Sequence, residues 1–386
     1  MNEMRVLVVN AGSSSLKLAL IDENDQTVAA KELPAPHAKI NEQELQAALD
    51  GDLGKADIVG HRIVHGGGTF DGPVRITAKV ESALRELVEL APLHQPKSLA
   101  ALDAVSAALP NLPAVACFDT AFHANLPLAA STYALPAAWR EGYGIRRYGF
   151  HGLSHAWIAH RVPQVVGRDP ADLRIVSCHL GAGASLCAIL GGRSIDTTMG
   201  FTPLEGLVMA TRSGSVDPGL LLWLLGHANL TAAEMADALE NASGLVGLTG
   251  TPDMRDVLTR AHGGDQAAQL GLDVYLHRLR AAIAAMTATL GGIDVLAFTG
   301  GVGEGSNTVR RRAVDGLAFL GLGISEQANN DRSEDRDISS PGATATTVVI
   351  AAREDLEIAR QTRSLGAKTR QLSRRLRSVL HREPRR

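Results

Sequence analysis

The sequence predicts an α/β protein of two domains built from one repeated unit, and three observations carry that prediction. The chain is 386 residues long, more than one hydrophobic core ordinarily organises. Its composition, 45% hydrophobic with 39 glycines, is that of a globular fold with many tight turns. The third observation is a pair of similar stretches. RVLVVNAGSSSLKLAL from Arg5 and RIVSCHLGAGASLCAIL from Arg174 both run strand, glycine-rich polar turn, strand. Two such units heading two halves of a chain point to a duplicated domain, with the two turns facing each other across a cleft.

Residues 6–9 form a continuous β-branched and apolar run, the pattern of a strand buried on both faces, and residues 15–20 alternate polar and apolar. Between them, Asn10, Gly12 and three consecutive serines offer backbone N–H groups, short donors and no bulk, with Lys17 close behind. That chemistry suits phosphate oxygens; the same residue types also make an ordinary hairpin turn. A polar segment broken by Pro34 and Pro36 follows, then an apolar run over 56–64 ending in GHRIVHGG. Arg62 sits inside that strand pattern, a costly place for a guanidinium without an anionic partner. His61 and His65 are four apart, but in a strand that is not the helical ligand pair, and no carboxylate completes a zinc set.

The apolar positions of 80–91 predict an amphipathic helix stopped by Pro92, and a second helix spans roughly 98–108. Strand 114–118 ends in Asp119, Thr120 and His123. A carboxylate at the carboxyl end of a strand suits a metal ligand or base, and equally a turn. RRYGFHGLSH, 146–155, gathers two arginines, two aromatics and two histidines between glycine hinges, and strands 174–179 and 186–190 bracket LGAGAS. Arg212 lies among small residues with room to reach an anion, and Asp217 with Pro218 starts a helix. Thr231 and Glu234 make a capping box for a helix ending near Asn241. A long helix over about 265–290 leads into strand 294–298 and TGGVGEGS, expected as a third glycine-rich turn able to admit a base or ribose. The last strand is 346–350.

Several classes are excluded or disfavoured. No apolar run approaches the roughly 18 residues of a membrane span, and the start of the chain has no secretory h-region, so a cytoplasmic protein is expected. Cys117, Cys178 and Cys187 lie in apolar runs without C-x-x-C spacing, which predicts buried free thiols. From Gly366 onward eight basic residues face one acid, while the rest of the chain carries 30 basic and 40 acidic residues. Without interleaved aromatics that tail is a solvated end rather than a nucleic-acid site. Neither a P-loop nor a G-x-G-x-x-G after a strand occurs.

NAGSSSLK, GHRIVHGG, FDTAFH, YGFHGLSH, HLGAGASL, MGFTPLEGL with ATRSGSVDP, FTGGVGE and REDLEIAR follow one another in the order and spacing of the acetate kinase family. The chain resembles that family from about residue 4 to 360. The resemblance implies two duplicated actin-like (ribonuclease H-like) ATPase domains around a central nucleotide cleft, the first formed by 1–120 with 353–386 and the second by 121–352. It implies reversible transfer of the γ-phosphoryl group of ATP to acetate, giving acetyl phosphate and ADP, with Mg²⁺ or Mn²⁺, in a homodimer. Asn10, Ser13, Ser15 and Lys17 then line the phosphate side, with His179, Gly181 and Gly183 on the second loop. Asp253, Met254, Arg255, Gly300, Gly301 and Val302 match the adenosine side. Asn10, Asp119 and Glu354 match the metal site, and Arg62 and Arg212 the pair that binds the carboxylate and the phosphoryl group. His151 matches the transition-state hydrogen-bond donor, with His94, His123 and His179 nearby, and Asp119 joins Arg62, Arg212 and His151 in the catalytic set. Val64, Leu93, Phe150 and Pro203 match the methyl pocket.

The chain departs from the family pattern at Ala182, where HLGNG carries Asn, and at Ala210, Gly305 and Arg353. Loss of a buried donor at Ala182 costs about 1 to 3 kcal/mol where nothing replaces it. A kinase for propionate or butyrate is the alternative enzyme, since a methylene changes little in an apolar pocket. A non-catalytic nucleotide-binding module is the alternative outside enzymes, and it has no use for Arg62, Arg212 and a methyl-sized pocket.

Overall fold

The computed structural model describes residues 4–12, 15–36, 39–92 and 94–366. Ser13, Leu93 and the basic tail from Lys368 lie outside the described residues. The chain divides into two compact units, one of Met1–Ala124 with Arg353–Arg386 and one of Asn125–Ala352.

The first unit is organised on six strands, β1 (Val6–Ala11), β2 (Ser15–Ile21), β3 (Thr27–Pro34), β4 (Ile58–Ile63), β5 (Val74–Arg75) and β6 (Ala114–Phe118). Their order is β3-β2-β1-β4-β6-β5, with β1, β4 and β6 parallel and the hairpin β1-β2-β3 and edge strand β5 antiparallel. One face is covered by the helices Glu42–Leu49 and Gln95–Ala108, through a core that includes Leu7, Val9, Leu16, Leu18, Val59 and Val105. On the other, a helix over 354–366 packs against the backbone of β4. A Cβ at Gly60 would lie 2.4 Å from Thr362 Oγ1 and 2.8 Å from Ile358, so only glycine admits that helix.

The second unit has β7 (Arg174–Leu180), β8 (Ala184–Leu190), β9 (Arg193–Thr197), β10 (Val295–Thr299), β11 (Arg336–Asp337) and β12 (Thr346–Val349). Its order is β9-β8-β7-β10-β12-β11, strand for strand the pattern of the first sheet, with the same parallel and antiparallel pairs. Even the irregularity recurs, between Leu20 and Ile21 in β2 and between Ala188 and Ile189 in β8. The helix Gln266–Leu290 packs on β7, β8 and β9, and Gly152–Val166 packs on β7. The α/β class and the duplication expected from the two similar stretches are therefore present.

One segment that the sequence left undescribed is ordered, and one expectation is corrected. The polar segment after the opening hairpin holds β3 and the helix Glu42–Leu49. Mostly exposed residues give β3 little apolar signal; its ladder to β2 supplies the stability instead. Asn41 caps the helix, accepting from the N–H groups of Gln43 and Glu44. TGGVGEGS is not a turn but a short helix, Gly300–Gly305, that starts directly on the end of β10. Gly300 makes that join possible: it has φ 80°, and a Cβ there would sit 2.8 Å from the Leu180 carbonyl oxygen. All three cysteines are buried free thiols, and burial pushes Cys117 up to about 12. Burial also lowers His61 and His65 to about 4, which keeps both neutral.

Candidate active site

In the first unit the carboxyl ends of three parallel strands bring together Asn10, Arg62 and Asp119, and the start of the 354–366 helix adds Glu354. Arg62 grips Asp119 as a fork, its Nη2 donating to Oδ2 at 2.7 Å and its Nε at 3.1 Å. Its Nη1 donates to Asn10 Oδ1 at 3.0 Å and lies 3.8 Å from Glu354 Oε2. Asn10 Nδ2 donates in turn to Glu354 Oε2 at 3.4 Å. The anionic partner that a guanidinium in a strand requires is thus Asp119, whose side chain is 2% exposed. Burial works against the Arg62 charge but is outweighed by Asp119 and Glu354, which raise its pKa. Burial pushes the Asp119 carboxyl up, Arg62 pulls it back, and the Glu354 charge adds to the rise. Two carboxylates against one guanidinium leave an unbalanced negative charge in a mostly desolvated place.

Lys17 is exposed and faces Asn10 across the β1–β2 register, and Ser15 Oγ donates to Glu32 at 2.5 Å. Val64 is buried just beyond β4, His123 is buried after β6, and His94 caps the helix Gln95–Ala108.

In the second unit His151 caps the helix Gly152–Val166 with φ 54°, a left-handed conformation uncommon for a side chain and a sign of a functional constraint. Its ring stacks on His179 at 4.3 Å, and its Nδ1 is hydrogen-bonded to Ser185 Oγ at 2.9 Å. Ser185 Oγ is also 2.8 Å from His155 Nε2, and His155 Nδ1 is 2.8 Å from Ser177 Oγ. Ser154 Oγ holds His179 Nδ1 at 2.8 Å. These contacts form a buried chain, Ser177 to His155 to Ser185 to His151, that fixes the ring.

The other end of His151 meets the glycine loop. A Cβ on Gly183 would lie 3.2 Å from His151 Nε2 and 3.4 Å from Arg212 Nη1, so this glycine marks where both side chains converge. Arg212 is held from behind, donating from Nε to Glu240 Oε2 at 2.8 Å and from Nη1 to the Pro203 carbonyl at 3.4 Å. Phe150 and Pro203 are buried beside these residues. A histidine and an arginine over a backbone loop can stabilise a phosphoryl group passing between oxygens.

Beside the loop opens a cavity of about 590 Å³ lined by Gly181, Asp253, Met254, Arg255, Gly301 and Val302 among others. Asp253 caps the helix Met254–His262, and the hydrogen bonds it accepts from the Arg255 side chain and N–H lower it to about 2. Ala182, Ala210 and Gly305 share this wall, the Ala210 N–H donating to the Ala182 carbonyl at 3.0 Å. Arg353, the fourth departure, is ion-paired with Asp355 at 2.9 Å in the first unit.

Sequence reasoning missed Ser177, Ser185, His155 and Glu240 as supports. Small polar residues inside the apolar strands β7 and β8 were the available signal for the serines; Glu240 gave none, being one acid on an exposed-looking helix.

The model of the Acetokinase family matches residues 23–360. An acetate kinase of Gloeobacter violaceus is 44% identical over 399 residues, covering 93% of this chain and 98% of that one. The crystal structure of Porphyromonas gingivalis acetate kinase superposes with a TM-score of 0.86 at 34% identity, covering 94% of this chain and 99% of that chain. A propionate kinase from Francisella tularensis gives the same TM-score of 0.86 at 33% identity and the same coverages, 94% and 99%. A family match over most of the chain, on a fold duplicated strand for strand, leaves one assignment: the chain belongs to the acetokinase family, with its two actin-like α/β units.

Proposed function

We propose that this protein is a kinase that transfers the γ-phosphoryl group of ATP to acetate, reversibly and by direct in-line attack, giving acetyl phosphate and ADP. The observation that carries the reading is the convergence of His151 and Arg212 on the Gly183 loop, next to a cavity of nucleoside size. Acetate is already an anion near neutral pH, so the nucleophile needs little help from a base. What opposes the reaction is repulsion between two anions, and cationic side chains lower that barrier. In this reading Arg62 and Arg212 bind the carboxylate and the transferring phosphoryl group, and Val64, Leu93, Phe150 and Pro203 exclude water from the methyl group. Gly181, Asp253, Met254, Arg255 and Gly300 to Val302 hold the adenosine, and Asn10, Ser13, Ser15, Lys17, His179 and Gly183 serve the phosphates.

His151 acts as a hydrogen-bond donor. One arrangement of the buried chain leaves its Nε2 protonated toward Gly183: Ser177 donates to His155 Nδ1, His155 Nε2–H to Ser185, and Ser185 to His151 Nδ1. Asp119, Glu354 and the Asn10 amide oxygen are hard donors, and their surplus negative charge fits a divalent ion. They would hold Mg²⁺ or Mn²⁺, which when bound neutralises phosphate charge.

A propionate kinase superposes as well as an acetate kinase does, so the longer acid is the second reading. A hydroxamate-coupled assay with ATP, Mg²⁺ and acetate, propionate or butyrate decides: acetate is expected to give the highest kcat/KM, and no acyl phosphate from any acid would overturn both readings. A homodimer belongs to the proposal, supported by the helix Pro218–His227, whose Leu222 and Trp223 are 72% and 55% exposed. So does a cytoplasmic setting, which buried unpaired thiols fit; among the described residues no helix is long and apolar enough to cross a membrane.

A further inference from the structure

A second cavity, of about 690 Å³, lies on the other side of the helix Gly300–Gly305. Arg310, Arg332, Arg336, Asn307 and Asn330 are on its wall. Arg310 is 1% exposed, yet its acceptors are all neutral: Asn329 Oδ1 at 2.7 Å, Asn329 O at 2.8 Å, and the carbonyls of Gly303 and Glu304 at 2.8 and 2.7 Å. Burial, and then the charge of Arg336, pull its pKa down to about 10. Arg336 itself donates from Nη1 to the carbonyls of Ser333 and Glu334, while its Nε is buried without a hydrogen-bond partner. Three acids share the wall. Glu304 Oε1 accepts from the N–H groups of Gly300 and Ala352. Asp331 accepts from the N–H groups of Ser333 and Arg332, and these bonds, with a smaller pull from the charge of Arg336, lower its pKa. Glu334 is exposed.

A desolvated guanidinium without a counter-ion, as Arg310 is, is among the costliest arrangements in a folded chain, and the charge of Arg336 beside it adds repulsion even though Asp331 attracts Arg336. An orphaned buried donor adds to it. Guanidinium forks match the paired oxygens of carboxylate and phosphoryl groups, and the cavity has the size of a small-molecule site.

We propose that this cavity binds a small polyanion bearing two or more carboxylate or phosphoryl groups, with Arg336 as its principal contact and Arg332 and Asn330 at its rim. Gly301, Gly305 and Asn307 line both this cavity and the adenosine-side one, so the anion acts on nucleotide affinity through their shared wall. That last step rests on the proposed function; the binding does not.

The test is isothermal titration of the full chain with citrate and, separately, pyrophosphate in metal-free buffer, on wild type, Arg336→Gln, Arg332→Gln and Arg212→Ala. At least one probe is expected to bind wild type and Arg212→Ala alike, and at least tenfold more weakly to Arg336→Gln. Citrate alone binding identifies a carboxylate ligand, pyrophosphate alone a phosphoryl ligand, and either supports the site. Failure of both probes on wild type, full retention in Arg336→Gln, or loss in Arg212→Ala would each overturn it, the last by placing the anion on the proposed transfer site. Should Arg336→Gln lose its thermal transition, Arg332→Gln is the variant read, with a weakening of at least threefold expected and none overturning the site. In the coupled assay the bound anion is expected to shift the KM for ATP at least twofold in wild type and not in Arg336→Gln. An unchanged KM beside intact binding overturns the coupling, and an absence of kinase activity beside intact binding overturns the proposed function alone.

Discussion

At the end of β1 stands Asn10, and the register puts His179 at the matching place on β7. Carried along the parallel strands, the same register sets Thr299 where the first unit has Arg62, and Ala352 where it has Asp119. One frame therefore presents an arginine–carboxylate cluster in one copy and His179, Thr299 and Ala352 in the other. The apolar positions that pack the two sheets must agree for the fold to repeat, whereas residues at strand ends are free of that demand. In the second unit the cation comes from elsewhere, Arg212 in a loop, backed by Glu240 from a helix. The duplication has kept the architecture while the side chains at the strand ends differ, an ionic cluster in one unit and a pocket with a histidine chain in the other.

The largest expected effect breaks that difference at its charges. A cationic arginine at a phosphoryl transition state contributes about 10³ to 10⁵ in rate. Arg62→Ala and Arg212→Ala should each lower kcat by at least roughly 10²-fold, while Thr299→Ala, at the matching place of the other sheet, should change it by less than about threefold. Steady-state kinetics on the three variants checks this. Near-wild-type turnover in either arginine variant would remove that arginine from the mechanism, and a collapse in Thr299→Ala would show that the strand ends do not differ as described.

A smaller effect sharpens the role of the histidine chain. His155 touches Ser177 and Ser185 and acts on His151 through the latter. His155→Ala should lower kcat about tenfold with little change in the KM for acetate, because misorienting a donor costs orientation rather than binding. The pH dependence of kcat should shift with it, since the proton on His151 Nε2 is no longer specified from behind. A rate loss that merely tracks a lowered melting temperature, with an unchanged pH profile, would reduce the chain to packing.

Much of the fold was legible in the sequence because its signals are local. Residues 6–9 and 114–118 are apolar runs and 174–179 resembles the opening strand, and they form β1, β6 and β7. Thr231 and Glu234 form the capping box that their spacing announces. β3 escaped because a polar strand is held by its ladder rather than by its own apolar side chains, and Gly300–Gly305 escaped because glycines disguise a helix set by tertiary contact. In the site, Arg62 declared a need for an anion but not which one, since Asp119 is 57 positions away and only the register joins them. The serines of the histidine chain left only the signal of small polar residues within strands, and each acquires a role once β7 and β8 pair and the helix Gly152–Val166 lays His151 and His155 over them.

The smallest effect probes the two glycine loops themselves. Four residues separate Ala11 from its partner Leu16, whereas three separate Leu180 from Ala184, so the second loop is one residue shorter. It is also barer, with alanine at position 182. Ala182 already serves the structure through its carbonyl, which accepts from Ala210, and its side chain is on the wall of the 590 Å³ cavity with Ala210 and Gly305. Space for a larger side chain is therefore present, and the backbone bond does not depend on what occupies it. Ala182→Asn should lower the KM for ATP by about two- to fivefold, the lower part of the range for one added hydrogen bond. A KM unchanged within error would show that the backbone of the shorter loop suffices.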